Sequence, residues 1–351
     1  MSLPPDFRLG ERMIGASGEA AYVIAEAGSN HNRDLDVARQ LIDVATEAGC
    51  DAVKFQTYSG DRIYSRVARS RYLEGFAASS PAELLEDISL PREWHFLLAE
   101  HSRERGIGFF SSPFDHQAVD ELAEVGVPLL KIASGEIVDL PLIRRAAATG
   151  IPLVISTGMA TLAEVGEALA AAEGAGANAV ALMQCASVYP ATAALINLRA
   201  VDTLRAAFGV PAGLSDHTMG IAVPIAAAAR GSAMIEKHIT LDRTMQGPDH
   251  SFATEPGELE AMVAGIRAAE AALGDGRKEG PSAEELDENY TLARRSLIAT
   301  RDLAAGTVLE AGMITVKRPG TGIAPKHMEL VIGRPLRADV QADDVLTWRM
   351  V

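Results

Sequence analysis

The sequence predicts a (β/α)8 TIM barrel followed by a small, mostly β C-terminal module. Eight short apolar, β-branched runs recur along the chain, each ending in small or polar residues, and helical patterns fill the intervals. The character of the chain then changes near residue 280. Eight consecutive strand and helix units in about 255 residues fit a closed barrel better than an open doubly wound sheet, which usually has five or six strands.

The first four runs are AYVIAEAGS from Ala21, AVKFQTY from Ala52, GFFSSPF from Gly108 and LLKIASGE from Leu129. The next four are PLVISTGM from Pro152, VALMQCAS from Val180, PAGLSDHT from Pro211 and MIEKHITL from Met234. Between them, segments such as DLDVARQLIDVATEAG, PREWHFLLAEHSRERG and TLAEVGEALAAAEGAG put acids early and Gly just past the end, as helix caps prefer. EPGELEAMVAGIRAAEAALG supplies the eighth helix. GDGRKEGPSAEELDENY, from Gly274, mixes Gly, Pro and charge and reads as a linker. The expected organisation is a barrel over 1–275, a linker over 276–290 and a module of short strands punctuated by Gly and Pro over 291–351. A module of that size has a marginal core by itself and is expected to dock.

Composition narrows the function classes. Apolar residues make up 48% and charged residues 23% of the 351, ordinary values for a globular protein. A net charge of -15, without long acidic blocks, disfavours nucleic acid or an anionic membrane as a partner, so an anionic substrate needs a local positive pocket. The longest apolar run, IAVPIAAAA, is far short of a membrane span, and the first twenty residues lack a secretory apolar stretch. With two cysteines, Cys50 and Cys185, read as small core residues, a disulfide framework is not the design and a reducing cytoplasm is the expected compartment.

In a (β/α)8 barrel the loops after the strands form the active face, so polar residues at strand ends are candidates for chemistry. His217 ends the seventh run and His238 the eighth. Their imidazoles are expected to converge at the mouth, where a borderline divalent metal suits paired neutral imidazoles plus water or substrate. Other strand ends contribute Glu26, Lys54, Gln56, Ser112, Lys131, Ser134, Glu136, Ser156 and Ser215. An ammonium inside a strand pattern is costly unless paired. Lys54 and Lys131 therefore either pair with Glu26 or Glu136, or serve a ligand phosphate or carboxylate together with Ser134, Ser156 and Ser215.

The ordered set IAEAGSNHN, VKFQTY, SSPFD, KIASGE, STGMA, YPA, GLSDHT, EKHIT and GPDH resembles the sialic acid synthase family. KRPGTGI near the C-terminus resembles that family's antifreeze-like (SAF) domain, so the likeness spans nearly the whole chain. The family includes legionaminic and pseudaminic acid synthases and proteins of spore coat polysaccharide biosynthesis. The resemblance implies condensation of phosphoenolpyruvate with an N-acylated hexosamine, usually N-acetylmannosamine, to a nine-carbon 2-keto acid and phosphate. It implies Mn2+ or Mg2+ on His217 and His238. Lys54, Lys131, Ser134, Ser156 and Ser215 match positions that bind phosphoenolpyruvate, and Tyr189 and Asp249 match positions near the sugar. Gln56, Ser112, Gly135 and Ser187 complete the candidate substrate-binding set. Glu26 is the candidate for handling water or a proton, with Glu136 its rival.

The resemblance further implies a homodimer in which each SAF domain caps the partner's barrel, with Arg318 reaching the neighbour's site. One loop departs from the family pattern. Where many members read HCTSNYP or HCTNIYP, this chain reads QCASVYP, so Gln184 replaces a histidine and Ala186 a threonine. Two alternatives stand beside this reading: a metal-dependent pyruvate aldolase or lyase using the same histidines, and a non-catalytic carbohydrate-binding protein.

Overall fold

In the computed structural model the eight apolar runs are eight parallel strands: β1 (Tyr22–Gly28), β2 (Ala52–Thr57), β3 (Gly108–Pro113), β4 (Leu130–Ile132), β5 (Leu153–Ser156), β6 (Val180–Cys185), β7 (Ala212–Asp216) and β8 (Met234–His238). They pair in chain order and β8 closes on β1 to make the barrel. Residues 3–15, 18–65, 68, 80–286 and 288–351 are described. They form two compact units, Met1–Gly274 and Asp275–Val351.

Both faces of a barrel strand are covered, one by the interior and one by the helices, so the strands read as near-continuous apolar runs. All seven residues of β1 are buried. Helix formation follows the same logic from the other side. Leu35–Glu47 buries Ala38, Leu41, Ile42 and Ala45, the 3.6-residue stripe of a helix with one face on the sheet. Its N-terminus is held by Asp34, whose side chain accepts from the backbone N–H groups of Asp36 and Val37. Trp94–Arg105 ends at Gly106, in the left-handed region at φ 75°, where a side chain would be strained. Pro256–Leu273 is the expected eighth helix.

At the N-terminal end of the barrel a short hairpin, Phe7–Leu9 against Arg12–Ile14, buries Phe7, Leu9 and Ile14 in the barrel's core. Asp51 ties the same end together by accepting from the backbone N–H of Val23 at 2.7 Å and from Arg267 at 3.0 Å, with Arg12 also bonded to it.

Strand register decides which polar groups meet inside. Glu26 on β1 stands beside Lys54 on β2 and beside His238 on β8, Gln56 stands beside Ser112 on β3, and Ser215 on β7 beside Glu236 on β8. Because successive side chains alternate, each of these belongs to the inward-pointing half of its strand.

The second unit has its own core of Leu297, Leu309, Ile314, Ile323, Val331 and Leu346. Strand β9 (Ser296–Ala299) pairs antiparallel with β10 (Ile314–Lys317), and isolated bridges such as Leu303 to Val340 extend the short-strand pattern. The stretch read as a linker runs into a short helix, Glu288–Ala293. Among the described residues no helix is long and apolar enough to cross a membrane.

Gly213 on β7 has no room for a side chain, because a Cβ there would fall on the backbone of Met234 in β8, with Met234 N only 2.8 Å away. Gly213→Ala should destabilise the barrel by about 1–3 kcal/mol, the usual cost of overpacking, read from urea unfolding. A loss under about 0.5 kcal/mol would show that β7 and β8 can part without penalty.

Candidate active site

The C-terminal mouth of the barrel holds two tiers of polar groups. The lower tier is a buried charge network. Lys54 Nζ lies 2.7 Å from Glu26 Oε2 and 3.7 Å from Glu236 Oε1, and it donates to Ser112 Oγ at 3.2 Å. Lys131 Nζ lies 3.2 Å from Glu236, and Ser215 Oγ donates to the same carboxylate at 3.0 Å. Gln56 Nε2 donates to Glu26 Oε1 at 2.8 Å. The four charged side chains are each under 5% exposed.

The lysine partners correct the sequence reading in part. Lys54 takes Glu26, one of the two acids considered, but Lys131 takes Glu236 and not Glu136. Glu236 was missed, although the strand period marks it. It lies two residues before His238 on the same face of β8 and beside Ser215 in register.

Burial and charge act oppositely on these groups. Burial pushes the Glu26 carboxyl up to about 7 even though Lys54 draws it down. At Glu236 burial also pushes upward, but Lys131 and Lys54 outweigh it and hold the carboxyl below its ordinary value. Burial lowers Lys131, whereas at Lys54 the two carboxylates overcome burial and raise it.

The upper tier carries the imidazoles. The rings of His217 and His238 are 5.2 Å apart between centroids, as their matching places at the strand ends predict. His217 Nδ1 lies 2.8 Å from the Ala186 carbonyl, which can only accept, so this nitrogen carries the proton and Nε2 keeps its lone pair. Cys185, a core residue as expected, also places its Sγ 3.7 Å from that Nδ1. Burial draws the His217 imidazole down, but its bonds to Cys185 and Ala186 hold it above its ordinary value. His238 is pulled far down, by burial first and then by the charges of His217 and Lys54. Its buried Nδ1 has no hydrogen-bond partner and lies 3.6 Å from Asp249 Oδ2. Among the described residues no group of three or more His, Cys, Asp or Glu side chains forms a metal-binding cluster.

Above these groups lies a cavity of about 580 Å³. One wall is polar, with Gln56, Ser134, Gly135, Glu136, Ser187, Tyr189, His238 and Asp249; the other is apolar, with Tyr58, Tyr64, Leu84, Leu85, Ile88 and Phe114. The apolar wall is supplied by the segment after β2 and by Phe114 after β3, and the sequence reading had not singled out any of it. Among the described residues no lysine or arginine lines the cavity. Glu136 sits on the 3-10 turn Ser134–Val138 just after β4, and burial raises its carboxyl. Burial likewise raises Asp249, to about 6. Tyr189 packs on His217 with ring centroids 4.2 Å apart.

Three hydroxyls gather where β4, β5 and β6 end. Ser134 Oγ accepts from the backbone N–H of Gly158 at 3.1 Å, and the buried Oγ atoms of Ser156 and Ser187 have no partner. A Cβ at Gly158 would lie 2.7 Å from Ser134 Oγ and closer still to Ser187 Oγ, so only glycine lets that backbone N–H approach. Unpaired buried hydroxyls beside a backbone donor are suited to an anion.

Gln184 stands apart from this assembly. It does not line the large cavity; it donates to the Ile196 carbonyl at 2.9 Å and faces a separate hollow of about 350 Å³. Arg318 follows β10 in the second unit, is exposed, and among the described residues has no ion-pair partner.

Comparison with known proteins agrees with this architecture. The NeuB family matches residues 41–278 and the SAF domain matches residues 294–351. N,N'-diacetyllegionaminic acid synthase of Legionella pneumophila is 40% identical over 342 residues, covering 95% of this chain and 96% of the relative. Human N-acetylneuraminate-9-phosphate synthase is 34% identical over 344 residues, covering 97% and 95%. Among solved structures, N-acetylneuraminic acid synthetase from Leptospira borgpetersenii in complex with citrate has a TM-score of 0.72 at 34% identity, covering 82% of this chain and 96% of that one. Spore coat polysaccharide biosynthesis protein SpsE from Bacillus subtilis has a TM-score of 0.69 at 34% identity, covering 99% of both. With likeness across both units, the chain belongs to the NeuB family of sialic acid synthases and related enzymes, with a C-terminal SAF domain.

Proposed function

We propose that this enzyme condenses phosphoenolpyruvate with an open-chain, uncharged N-acyl hexosamine to give a nine-carbon 2-keto sugar acid and phosphate. The observation that carries this reading is the stacking of two tiers: buried Lys54 and Lys131 with Ser215 below, and His217 and His238 above, in one barrel mouth. Phosphoenolpyruvate supplies the anionic groups that Lys54, Lys131, Ser134, Ser156 and Ser215 are equipped to bind. The sugar lies in the cavity against Tyr189 and Asp249. Its aldehyde carbon is attacked by carbon 3 of phosphoenolpyruvate, and the aldehyde oxygen takes up a proton. Carbon 2, now electron-poor, adds water, and loss of phosphate from that carbon leaves the 2-keto acid.

Glu136 is the better placed of the two candidate acids to take the proton from that water, because it faces the cavity with a raised pKa. Glu26 has one oxygen on Lys54 and the other on Gln56, which suits it to holding the lysine. The imidazoles fit a divalent ion. His217 has its Nδ1 proton committed to Ala186, which leaves Nε2 as donor, and His238 stays neutral. Mn2+ or Mg2+ held there supplies Lewis-acid polarisation of the aldehyde oxygen.

The metal assignment is tested by His217→Ala and His238→Ala, each of which should lose both Mn2+ content and turnover. Neutral imidazole is the ligating form and His217 is held above its ordinary value, so Mn2+ affinity should begin to fall while the pH is still above about 6.5. Metal content unchanged in both variants would reject the assignment.

The cavity walls bear on the acceptor. An apolar wall suits acyl methyl groups, and a cavity lined by Glu136 and Asp249 with no cation among the described residues repels a sugar phosphate. N-acetylmannosamine should therefore exceed its 6-phosphate by more than about tenfold in kcat/KM. Equal efficiency for the two would show that a cation reaches the acceptor.

Arg318, exposed and without an ion-pair partner among the described residues, is proposed to complete the site of the partner in a domain-swapped homodimer. Mixing Arg318→Ala chains with His217→Ala chains, each inactive alone, should regenerate one intact site per heterodimer. Continued inactivity after demonstrated subunit exchange would place Arg318 outside the partner's site.

A further inference from the structure

We infer that Glu236 is the resident counter-ion of the phosphate site, occupying in the free enzyme the donors that the incoming anion must use. Lys131 Nζ at 3.2 Å, Ser215 Oγ at 3.0 Å and Lys54 Nζ at 3.7 Å all converge on this one carboxylate. Glu26 meets Lys54 from the other side at 2.7 Å, so each of the two lysines is already paired with an acidic side chain before substrate arrives. The inference rests on the phosphoenolpyruvate reading above, but it changes what binding means there. An anion entering a site whose donors are already occupied gains little from long-range attraction; it binds by exchanging places with Glu236 at Lys131 and Ser215.

The other buried ion pair on these strands shows that the arrangement is particular. Lys237, next in sequence, lies 2.6 Å from Asp216 and bonds to the Thr218 carbonyl, and it points away from the barrel interior. That pair contains no donor assigned to substrate, whereas three of the donors around Glu236 are so assigned. A resident carboxylate keeps the lysines charged and aligned while the site is empty, and it competes for them when the site is full. Affinity for phosphate is held down in consequence, which favours departure of the inorganic product.

The test is calorimetric titration of the full-length enzyme with inorganic phosphate and with phosphoenolpyruvate, comparing wild type, E236Q and E236D. E236Q keeps the shape and removes the charge, so it should bind phosphate about tenfold or more tightly than wild type, with KM for phosphoenolpyruvate and kcat falling together. E236D keeps the charge and should stay within about threefold of wild type. A purely structural role predicts weaker binding in E236Q, and phosphate affinity unchanged or reduced in that variant overturns the inference. Should E236Q fold poorly, recovery of folded protein in millimolar phosphate but not in chloride supports the counter-ion role, and failure in both overturns it. A wild-type enzyme that neither binds phosphate nor consumes phosphoenolpyruvate would overturn the proposed function itself; one that does both, beside an unchanged E236Q, overturns only the role of Glu236.

Discussion

Four ionisable side chains, Glu26, Lys54, Lys131 and Glu236, meet inside a parallel barrel, and their mutual pairing is the condition on which the mouth of the barrel is built. Removing a single ion from water costs several kcal/mol even after relaxation, so none of the four is tolerable in the interior without the others. Register supplies the pairing: Glu26 beside Lys54, and Glu236 beside the serine that bonds to it. The remaining polar groups of the site are arranged around this network. Gln56 links it to the cavity, Ser112 takes the third proton of Lys54, and the imidazoles sit one pleat above Glu236 and Ser215.

The mouth is correspondingly divided in its electrostatics. Cationic donors lie at its floor, already balanced by carboxylates, while the open cavity above is acidic and half apolar. An anion and an uncharged polyol would sort themselves by depth in such a space, the first going down to the ammonium groups and the second staying against Tyr189 and the apolar wall. The overall acidity of the chain does not conflict with an anionic substrate, because the relevant field is local and screened beyond about 10 Å.

Most of the barrel was legible in the sequence because its signal is local. Eight apolar runs of strand length, caps such as Asp34, and glycines such as Gly106 each declare an element without reference to the rest of the chain. The imidazole pair was legible for the same reason, since position at a strand end is a one-dimensional property. The partners of the lysines were not. Whether Lys131 meets Glu136, five residues away, or Glu236, more than a hundred away, depends on where the strands of a closed barrel come to rest across its interior, which no local pattern encodes. The apolar wall was missed because Leu84, Leu85 and Ile88 sit on the helix Pro81–Ile88 in the excursion after β2; their helical spacing marks an apolar face but does not say that this face borders the mouth of the barrel. Gln184, conspicuous as a departure from the family pattern, points to a different hollow.

The seam between β1 and β8 has a bearing on how the chain is made. Glu26 belongs to the first barrel strand and Glu236 to the last, so the lysines between them in sequence cannot both be neutralised until the final strand is in place. A nascent chain lacking its eighth strand holds Lys131 without the carboxylate that makes its burial affordable. Early closure around a seven-stranded intermediate is thereby penalised, so the buried charges also act as a checkpoint on the completeness of synthesis.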